Sequence, residues 1–391
     1  NVVAALAIVM IDNPLVAATG DRICNDCMKS CIYQKQEPVD VPCIETEMLK
    51  AVLQLPYGAE IYYLLSRWNP LIKERKPVSK VTKNLVVGMG PAGFAMAYYL
   101  LQDGKQVTGI DSLDIKPLPK AFFDPIENWP QLIKSMGEYK SQGFGGVAEY
   151  GITDRWDKYN LLLIRMLLER YENFELKGGY RLGRDITIQR AIENEKFDYV
   201  ALWRGAGSPK IPEVKNINSK GVISAFTFLA SLHMNVPNFT FDTPVVILGA
   251  GLTAIDCAMA AMSNGSNADV TIIYRKTITE SPSYKENHEE LKIALESGVK
   301  FLENTELKSI DLDENGNVKS INGNIPAKTL IYSIGTYPNE KIFSREAEAF
   351  KLYKEKIGIF GDMDPAYAGT VVRAIASVRD WFNLFSRGNL L

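Results

Sequence analysis

Residues Asn84–Asp111 read NLVVGMGPAGFAMAYYLLQDGKQVTGID and carry the clearest folding signal of the chain. The apolar run predicts a buried strand, the G-x-G-x-x-G pattern a tight turn, and the residues up to Gln102 a helix, after which a second strand ends at Asp111. Such a unit binds a dinucleotide pyrophosphate at the helix N-terminus and a ribose at the acidic strand end. We expect six binding residues here: Gly88, Gly90, Pro91, Ala92, Gly93 and Asp111.

A second unit of the same kind spans Pro244–Lys276, PVVILGAGLTAIDCAMAAMSNGSNADVTIIYRK, with alanine as the last residue of its turn. Its second strand ends in Arg275 and Lys276 instead of an acid. A basic pair there favours the 2′-phosphate of NADP over the free hydroxyl of NAD, although two solvated cations at a strand end give the same pattern. The residues expected to bind this nucleotide are Gly249, Gly251, Leu252, Thr253, Ala254, Asp256, Arg275 and Lys276.

Two dinucleotide turns in one chain predict a hydride transfer between two bound cofactors, because such a transfer requires their reactive rings to stack. The acidic strand end of the first unit suits FAD, and the basic strand end of the second suits NADPH. Hydride transfer of this kind needs ring overlap in a dry pocket and no protein acid or base. We therefore expect no catalytic side chain.

Four of the five cysteines lie close together in the N-terminal part, at Cys24, Cys27, Cys31 and Cys43. Clustered cysteines in an otherwise cysteine-poor chain indicate metal binding in a reducing compartment, such as the cytoplasm or the mitochondrial matrix. Their spacing favours a 4Fe–4S cluster, with zinc and unligated thiols as the alternatives, and either Cys43 or Glu45 can complete the ligand set. The fifth, Cys257, has no partner spaced for a redox disulfide and is interpreted as a packing residue.

The composition of the 391-residue chain excludes several other classes of protein. Its 44 Lys and Arg against 46 Asp and Glu leave no excess of positive charge for a broad nucleic-acid or anionic-membrane surface. No apolar run is long enough to span a membrane, and the apolar opening Val2–Met10 lacks the basic leader of a secretory signal. With only two histidines, His-rich metal sites and His-based triads are disfavoured.

A series of short motifs extends the two units over nearly the whole chain. They are Gly20–Cys24 with Cys27, Cys31 and Ile44–Glu45; Val87–Gly93; Gly145–Gly146 with Tyr150–Ile152; Gly249–Cys257; Tyr274–Lys276; Pro326–Ala327 with Ile334–Gly335; and Gly361–Asp362 with Val371–Ala376. In this order they resemble the flavoprotein small subunit of glutamate synthase and the matching N-terminal half of dihydropyrimidine dehydrogenase.

That resemblance implies an α/β fold with two Rossmann-like dinucleotide-binding domains, the NADPH domain inserted in the FAD domain, preceded by a helical iron–sulfur domain. The implied boundaries are 1–80 for the iron–sulfur domain, 81–210 and 336–391 for the FAD domain, and 211–335 for the NADPH domain. Electrons would pass from NADPH through FAD and iron–sulfur clusters to a partner protein that carries the terminal active site, of the glutamate synthase large-subunit type or another.

The resemblance also implies further cofactor contacts. Gly145 and Gly146 would run beside the isoalloxazine, and Asp362 would hold the ribityl chain or phosphate of FAD. The helix that begins near Thr370 would aim its N-terminal dipole at the flavin N1/O2 edge and stabilise negative charge there. The residues added in this way are Gly145, Gly146, Val147, Gly151, Gly335, Gly361, Asp362, Gly369, Thr370 and Val371.

The cysteine spacing keeps a second hypothesis open, a non-catalytic structural subunit that retains bound nucleotides in a larger assembly. The family usually separates the first two of these cysteines by five residues, and this chain separates them by two. Leu252 also stands in place of a usual Asp. Reduction of a bound flavin by NADPH distinguishes the enzyme from the structural subunit.

Overall fold

A computed structural model describes residues 1–19, 26–68, 81–137, 158–203, 205, 208–233, 238–265, 268–337, 344–364, 366–367 and 371–386. Within these ranges the chain folds into an N-terminal group of helices followed by two parallel sheets with helices packed against them. The α/β class expected from the two glycine turns is thus confirmed. No helix in the described ranges is long and apolar enough to cross a membrane.

Helices and strands alternate over most of the chain from residue 81 onward. The helices are α1 Val2–Asp12, α2 Val16–Thr19, α3 Asp26–Lys29, α4 Val41–Leu53, α5 Gly58–Arg67, α6 Pro91–Gln102, α7 Trp129–Met136, α8 Asn160–Glu169, α9 Ile188–Glu193, α10 Ala225–His233, α11 Leu252–Asn264, α12 Pro282–Glu296, α13 Ala347–Leu352 and α14 Val371–Ser386. The strands are β1 Lys83–Val87, β2 Gln106–Ile110, β3 Phe174–Lys177, β4 Tyr199–Leu202, β5 Ser208–Pro209, β6 Val222–Ser224, β7 Val245–Leu248, β8 Val270–Ile273, β9 Lys300–Leu302, β10 Ile310–Leu312, β11 Val318–Ile321, β12 Ile325–Pro326, β13 Thr329–Tyr332, β14 Thr336–Tyr337 and β15 Ile357–Ile359.

The N-terminal helices α1 to α5 are short, and tertiary packing stabilises such helices more than their own hydrogen bonds do. Leu6 of α1, Leu49 of α4 and Tyr62 of α5 are fully buried in the same core cluster. The Tyr62 hydroxyl donates to the Pro14 carbonyl at 2.9 Å. Helices α1, α2, α4 and α5 therefore contribute buried side chains to a shared core, whereas α3 buries none.

The first sheet has five parallel strands in the order β15–β4–β1–β2–β3. Strand β1 lies between β2 and β4, and its residues from Asn84 to Val87 are buried, as is typical of a central parallel strand. Helix α6 packs against both α8 and α14. Because the first glycine turn directly follows β1, it lies at the carboxyl end of the central strand.

The second sheet is also parallel, in the order β6–β13–β7–β8–β9. A small antiparallel sheet, β10–β11–β12, and an antiparallel pair, β14–β5, accompany it. The chain leaves the first sheet after β4, forms the second sheet, and returns to the first with β15 beside β4. This order agrees with two Rossmann-like units, and the residues at which one unit gives way to the other stay a prediction.

An ion pair joins the helical region to the first sheet unit. Arg170, which follows α8, donates to the two carboxylate oxygens of Glu60 in α5 at 2.7 and 3.0 Å. Glu60 also accepts from the Ile126 backbone N–H at 2.8 Å. The two charged side chains are only 10% and 18% exposed. Because a bidentate pair fixes both distance and orientation, the helical region is held firmly against this unit.

Candidate functional site

The first glycine turn lies between β1 and α6. Gly88 has a φ of +93°, and a Cβ built there would lie 1.6 Å from the carbonyl oxygen of Trp203, at the end of β4. A Cβ built on Gly93 would lie 1.9 Å from the Gly88 carbonyl oxygen. Close backbone packing therefore requires glycine at both positions.

Helix α6 begins without a side-chain cap. Gly90 is its N-cap residue, in an extended conformation, and Pro91 occupies the first helical turn. The first N–H groups of a helix have no partner within the helix, and an uncapped start offers them to an anion. Pro91, Ala92 and Gly93 are buried, so backbone groups rather than side chains face the turn. This arrangement fits a dinucleotide pyrophosphate.

Asp111 closes the same turn from the end of β2. Its carboxylate accepts hydrogen bonds from the backbone N–H groups of Met89 at 2.7 Å and Leu113 at 2.8 Å. The residue is 8% exposed. Burial raises the pKa of Asp111 above its ordinary value, against the lowering effect of the hydrogen bonds. Asp111 therefore stabilises the turn even without a bound ligand. Its contact with a ribose stays a prediction.

The second glycine turn lies between β7 and α11. Gly249 has a φ of +113°, and a Cβ there would lie 2.2 Å from the carbonyl oxygen of Ser333. A Cβ on Gly251 would instead meet no heavy atom within 4 Å. Gly251 is the N-cap residue of α11, which has no side-chain cap either. The space in front of Gly251 and the helix start fits a second pyrophosphate.

The other residues expected on α11 differ in their exposure. Leu252 is half-buried and Thr253 is exposed, whereas Ala254 and Asp256 are buried. Cys257 is fully buried in the core of the second unit, as the packing interpretation predicts, and this burial raises the pKa of its thiol well above the ordinary value. Leu252 and Thr253 are thus the members of this group that a ligand can reach most easily.

The basic pair Arg275 and Lys276 follows β8 and is exposed. The Lys276 Nζ lies 3.4 Å from Glu280 Oε1. Arg275 makes no ion pair within the described ranges. Gly335, which follows β13 with a φ of +92°, accepts a hydrogen bond from the Lys210 backbone N–H at 2.9 Å. Arg275 is therefore the cation that is available to a phosphate without exchanging a partner.

A third set of contacts joins the ends of β4 and β15. Gly361 has a φ of +63°, and a Cβ there would lie 2.2 Å from Cζ2 of the Trp203 ring. That ring stacks on Phe360 at 6.2 Å with an angle of 10°. The Gly361 backbone N–H donates to Ser377 Oγ of α14 at 3.0 Å. Asp362, next to this turn, is half-buried, and so is Val371 at the start of α14.

Trp203 and Ser377 are not among the site residues predicted from the sequence. Trp203 is the last residue of an apolar run before a glycine-rich segment, and that position signals the carboxyl end of a strand. Ser377 lies in the middle of a helix and gives no such signal. Both residues are recognised only from contacts that are distant in sequence.

The described cysteines do not form a metal site. Cys27 and Cys43 are exposed, Cys31 is half-buried, and the described ranges contain no group of three or more Cys, His, Asp or Glu placed to hold a metal. Partial desolvation raises the pKa of the Cys27 thiol, and the nearby charges of Glu45 and Asp40 act in the same direction, against backbone hydrogen bonds that lower it. The three described thiols alone therefore do not fit a 4Fe–4S cluster or a tetrahedral zinc.

Glu45, the alternative ligand, lies beside α1. Its carboxylate accepts a hydrogen bond from Asn13 Nδ2 at 3.3 Å, and burial raises its pKa. Several other expected site residues lie outside the described residues: Cys24, Gly145, Gly146, Val147, Gly151, Gly369 and Thr370. Their roles stay predictions.

Comparisons with known proteins bear on the same segments. The chain is 36% identical to the uncharacterized protein RP006 of Rickettsia prowazekii, over 95% of this chain and 64% of that protein. It is 26% identical to the glutamate synthase (NADPH) small chain of Escherichia coli, over 65% of this chain and 48% of that protein. The chain thus spans less than two thirds of the length of these relatives.

The fold has a counterpart among solved structures, and a family model matches the sequence. FprA, an oxidoreductase of Mycobacterium tuberculosis, aligns with 79% of this chain and 85% of its own at a TM-score of 0.54 and 14% identity, which shows the fold alone. The family model described as Pyridine nucleotide-disulphide oxidoreductase matches residues 82–364, which include both glycine turns and both parallel sheets. By this match the chain belongs to the pyridine nucleotide-disulphide oxidoreductase family.

Proposed function

We propose that this chain is an FAD-dependent oxidoreductase that accepts hydride from NADPH and serves as the electron-input part of a larger enzyme. The observation that carries the proposal is the pair of uncapped helix starts, α6 and α11, each at the carboxyl edge of its own parallel sheet. Ligands of open α/β sheets bind at that edge. The family match over both units supports the same two sites.

In this proposal the first turn binds FAD. The N–H groups at the start of α6 bind the pyrophosphate, and Asp111 holds the turn in the conformation that presents them. We assign the Asp111 carboxylate as the acceptor for the ribose hydroxyls. Trp203 and Phe360 stack on each other beside the Gly361 turn, and we assign to these rings the exclusion of water from the bound flavin. FAD, when bound, supplies the hydride acceptor.

The second turn binds NADPH. Gly251 lets the pyrophosphate approach the backbone, because no side chain fills that space. Arg275 and Lys276 bind the 2′-phosphate by charge. No acid or base is required for the transfer, and the task of the chain is to orient the two nucleotides and keep water out.

The cysteine segment enters the proposal as a candidate 4Fe–4S or zinc site, and hydride transfer does not depend on it. Its support is positional. Asp26, next to Cys27, lies 3.8 Å from Arg373 in the first turn of α14, the helix assigned to the flavin. Measurement of iron, zinc and acid-labile sulfide in anaerobically purified protein tests this part, and protein free of all three would contradict it.

A partner protein that carries the terminal active site completes the proposal. The relative from Escherichia coli is, by its name, one chain of a larger enzyme, which supports a partner for this chain as well. The proposed units are 1–80, 81–210 with 336–391, and 211–335. Their support is that β15 returns to the first sheet after the whole second sheet has formed.

Anaerobic titration tests the central proposal. Purified protein is loaded with FAD, and the yellow flavin absorbance is followed as NADPH and, separately, NADH are added. We expect bleaching by at least one nucleotide, with NADPH effective at the lower concentration. Protein that binds FAD and keeps its colour with both nucleotides would contradict the enzyme and support a structural subunit.

A further inference from the structure

The loop that follows β8 holds a carboxylate beside its basic pair. Glu280 Oε1 lies 3.4 Å from Lys276 Nζ, and Oε2 accepts from the Thr277 hydroxyl at 2.9 Å and from the Thr277 N–H at 3.3 Å. Thr277 and Glu280 form a capping box, in which side chain and backbone satisfy each other. The Glu280 carboxylate is therefore oriented by three donors rather than free to move away.

A second carboxylate, from the loop that follows β9, contacts this loop. Glu303, which follows β9, accepts a hydrogen bond from the Ile278 backbone N–H. The basic pair Arg275 and Lys276 is thus accompanied by two acids, and the local charge is close to balanced. The end of β8 is therefore less positive in the folded protein than the residues Arg275 and Lys276 alone indicate.

We propose that Glu280 sets the preference of this site between NADPH and NADH, by competing with the 2′-phosphate for Lys276. The inference rests on the proposed function of the second turn. A 2′-phosphate carries negative charge, so it must share Lys276 with Glu280 or displace it. NADH has a free hydroxyl at this position, and its affinity is therefore independent of the pair.

The size of the effect follows from exposure. The side chains of Lys276 and Glu280 are 50% and 46% exposed, and exposed ion pairs are weak and sensitive to salt. Hydrogen bonds from Thr277 and then from Lys276 lower the pKa of Glu280, so the carboxylate is charged at neutral pH. We expect removal of this charge to change relative affinity by about two- to five-fold at low salt.

The test uses two fragments that undergo no redox chemistry, 2′-phospho-ADP-ribose and ADP-ribose. Their binding to FAD-loaded protein is measured by calorimetry for the unmodified chain, Glu280→Gln and Glu296→Gln. Glutamine preserves the capping box. Glu296 pairs with Lys292 at the far end of α12 with the same spacing, so its variant is the matched control.

We expect Glu280→Gln to bind 2′-phospho-ADP-ribose more tightly while ADP-ribose binding stays the same, and we expect the gain to fall at high salt. Glu296→Gln should change neither. An unchanged or lower preference in Glu280→Gln overturns the inference alone. Failure of the unmodified chain to bind either fragment overturns the proposed function of the second turn together with it.

A double variant tests the competition itself. If Glu280 acts through Lys276, the gain from Glu280→Gln disappears in a Lys276→Met background. An equal gain without Lys276 would mean that Glu280 repels the phosphate directly, and competition for the lysine would be wrong.

Discussion

In both glycine turns the first glycine has a positive φ and presses against the carbonyl of a neighbouring strand, Trp203 for Gly88 and Ser333 for Gly249. The strand ends beside the turns differ. Asp111 is buried and bonded to the turn backbone, whereas Arg275 and Lys276 are exposed. The end of β2 is therefore buried, whereas the end of β8 is charged and exposed to solvent.

The residue at the end of the second strand therefore has a structural role in one unit and an exposed position in the other. Burial makes a residue indispensable to folding, so substitutions around the first turn should act first on stability. Gly249 of the second turn is as constrained as Gly88, but substitutions at Gly251 and at the exposed pair Arg275 and Lys276 should act on ligand affinity, and those of the charged pair should respond to salt. The following variants test that division.

Gly88→Ala should have the largest effect. Its Cβ would lie 1.6 Å from a backbone oxygen, so the turn or β4 must move. We expect the free energy of unfolding to fall by about 3 kcal/mol or more, with loss of bound FAD. Denaturant unfolding measures this. Gly316→Ala is the control, because Gly316 also has a positive φ but open space around it. Equal losses in both variants would attribute the effect to φ alone.

Asp111→Asn should cost less, about 1–3 kcal/mol, because an amide cannot accept with both atoms and one buried N–H loses its partner. The pKa of Asp111 is raised in the folded protein. The folded state therefore binds the proton of the Asp111 carboxyl group more tightly than the unfolded state does. Stability from the acid is therefore lost as pH rises through the folded-state pKa. Unfolding measured over a pH series should show the deficit of the variant narrowing as pH rises. A deficit that widens would contradict this assignment.

Gly251→Ala should leave stability within about 0.5 kcal/mol, since its Cβ meets open space and its φ of −86° suits alanine. The methyl group occupies the approach of the pyrophosphate, so affinity for 2′-phospho-ADP-ribose and ADP-ribose should fall by about tenfold or more. Calorimetry and thermal unfolding measure the two quantities on one sample. Unchanged affinity would show that no nucleotide approaches this backbone.

Arg275→Met should have the smallest effect of the four. Arg275 has no ion pair in the described part of the chain, so stability should stay the same. We expect affinity for 2′-phospho-ADP-ribose to fall by about three- to tenfold at low salt, with ADP-ribose unaffected. Equal losses for the two fragments would contradict a contact with the 2′-phosphate.

The two glycine units could be predicted from sequence almost to the residue, because their signals are local. An apolar run of four or five residues before a glycine turn is typical of a buried parallel strand. The second strand of the first unit is predicted to end at Asp111, and β2 ends one residue earlier, at Ile110. Helix α7 is not among the elements predicted from the sequence, because it is short and lies in a proline-bearing connection, where its Asn128 cap gives only a weak signal.

The contacts between distant segments could not be predicted in this way. Trp203 contacts Gly88 and Gly361, and Glu303 contacts the Ile278 backbone, only because strands that are far apart in sequence end close together. Periodicity carries no information on such contacts. The charge balance of the second site was therefore missed, although its basic residues were identified.

Trp203 restrains two glycines in different ways. Its backbone carbonyl excludes any side chain at Gly88, whatever residue occupies position 203, whereas its ring excludes a side chain at Gly361. Position 88 is thus expected to remain glycine during evolution. Position 361 opens to Asn or Asp once residue 203 becomes smaller, since these residues tolerate a left-handed backbone. Homologous chains should keep the first glycine invariant and exchange the residues at 203 and 361 as a pair.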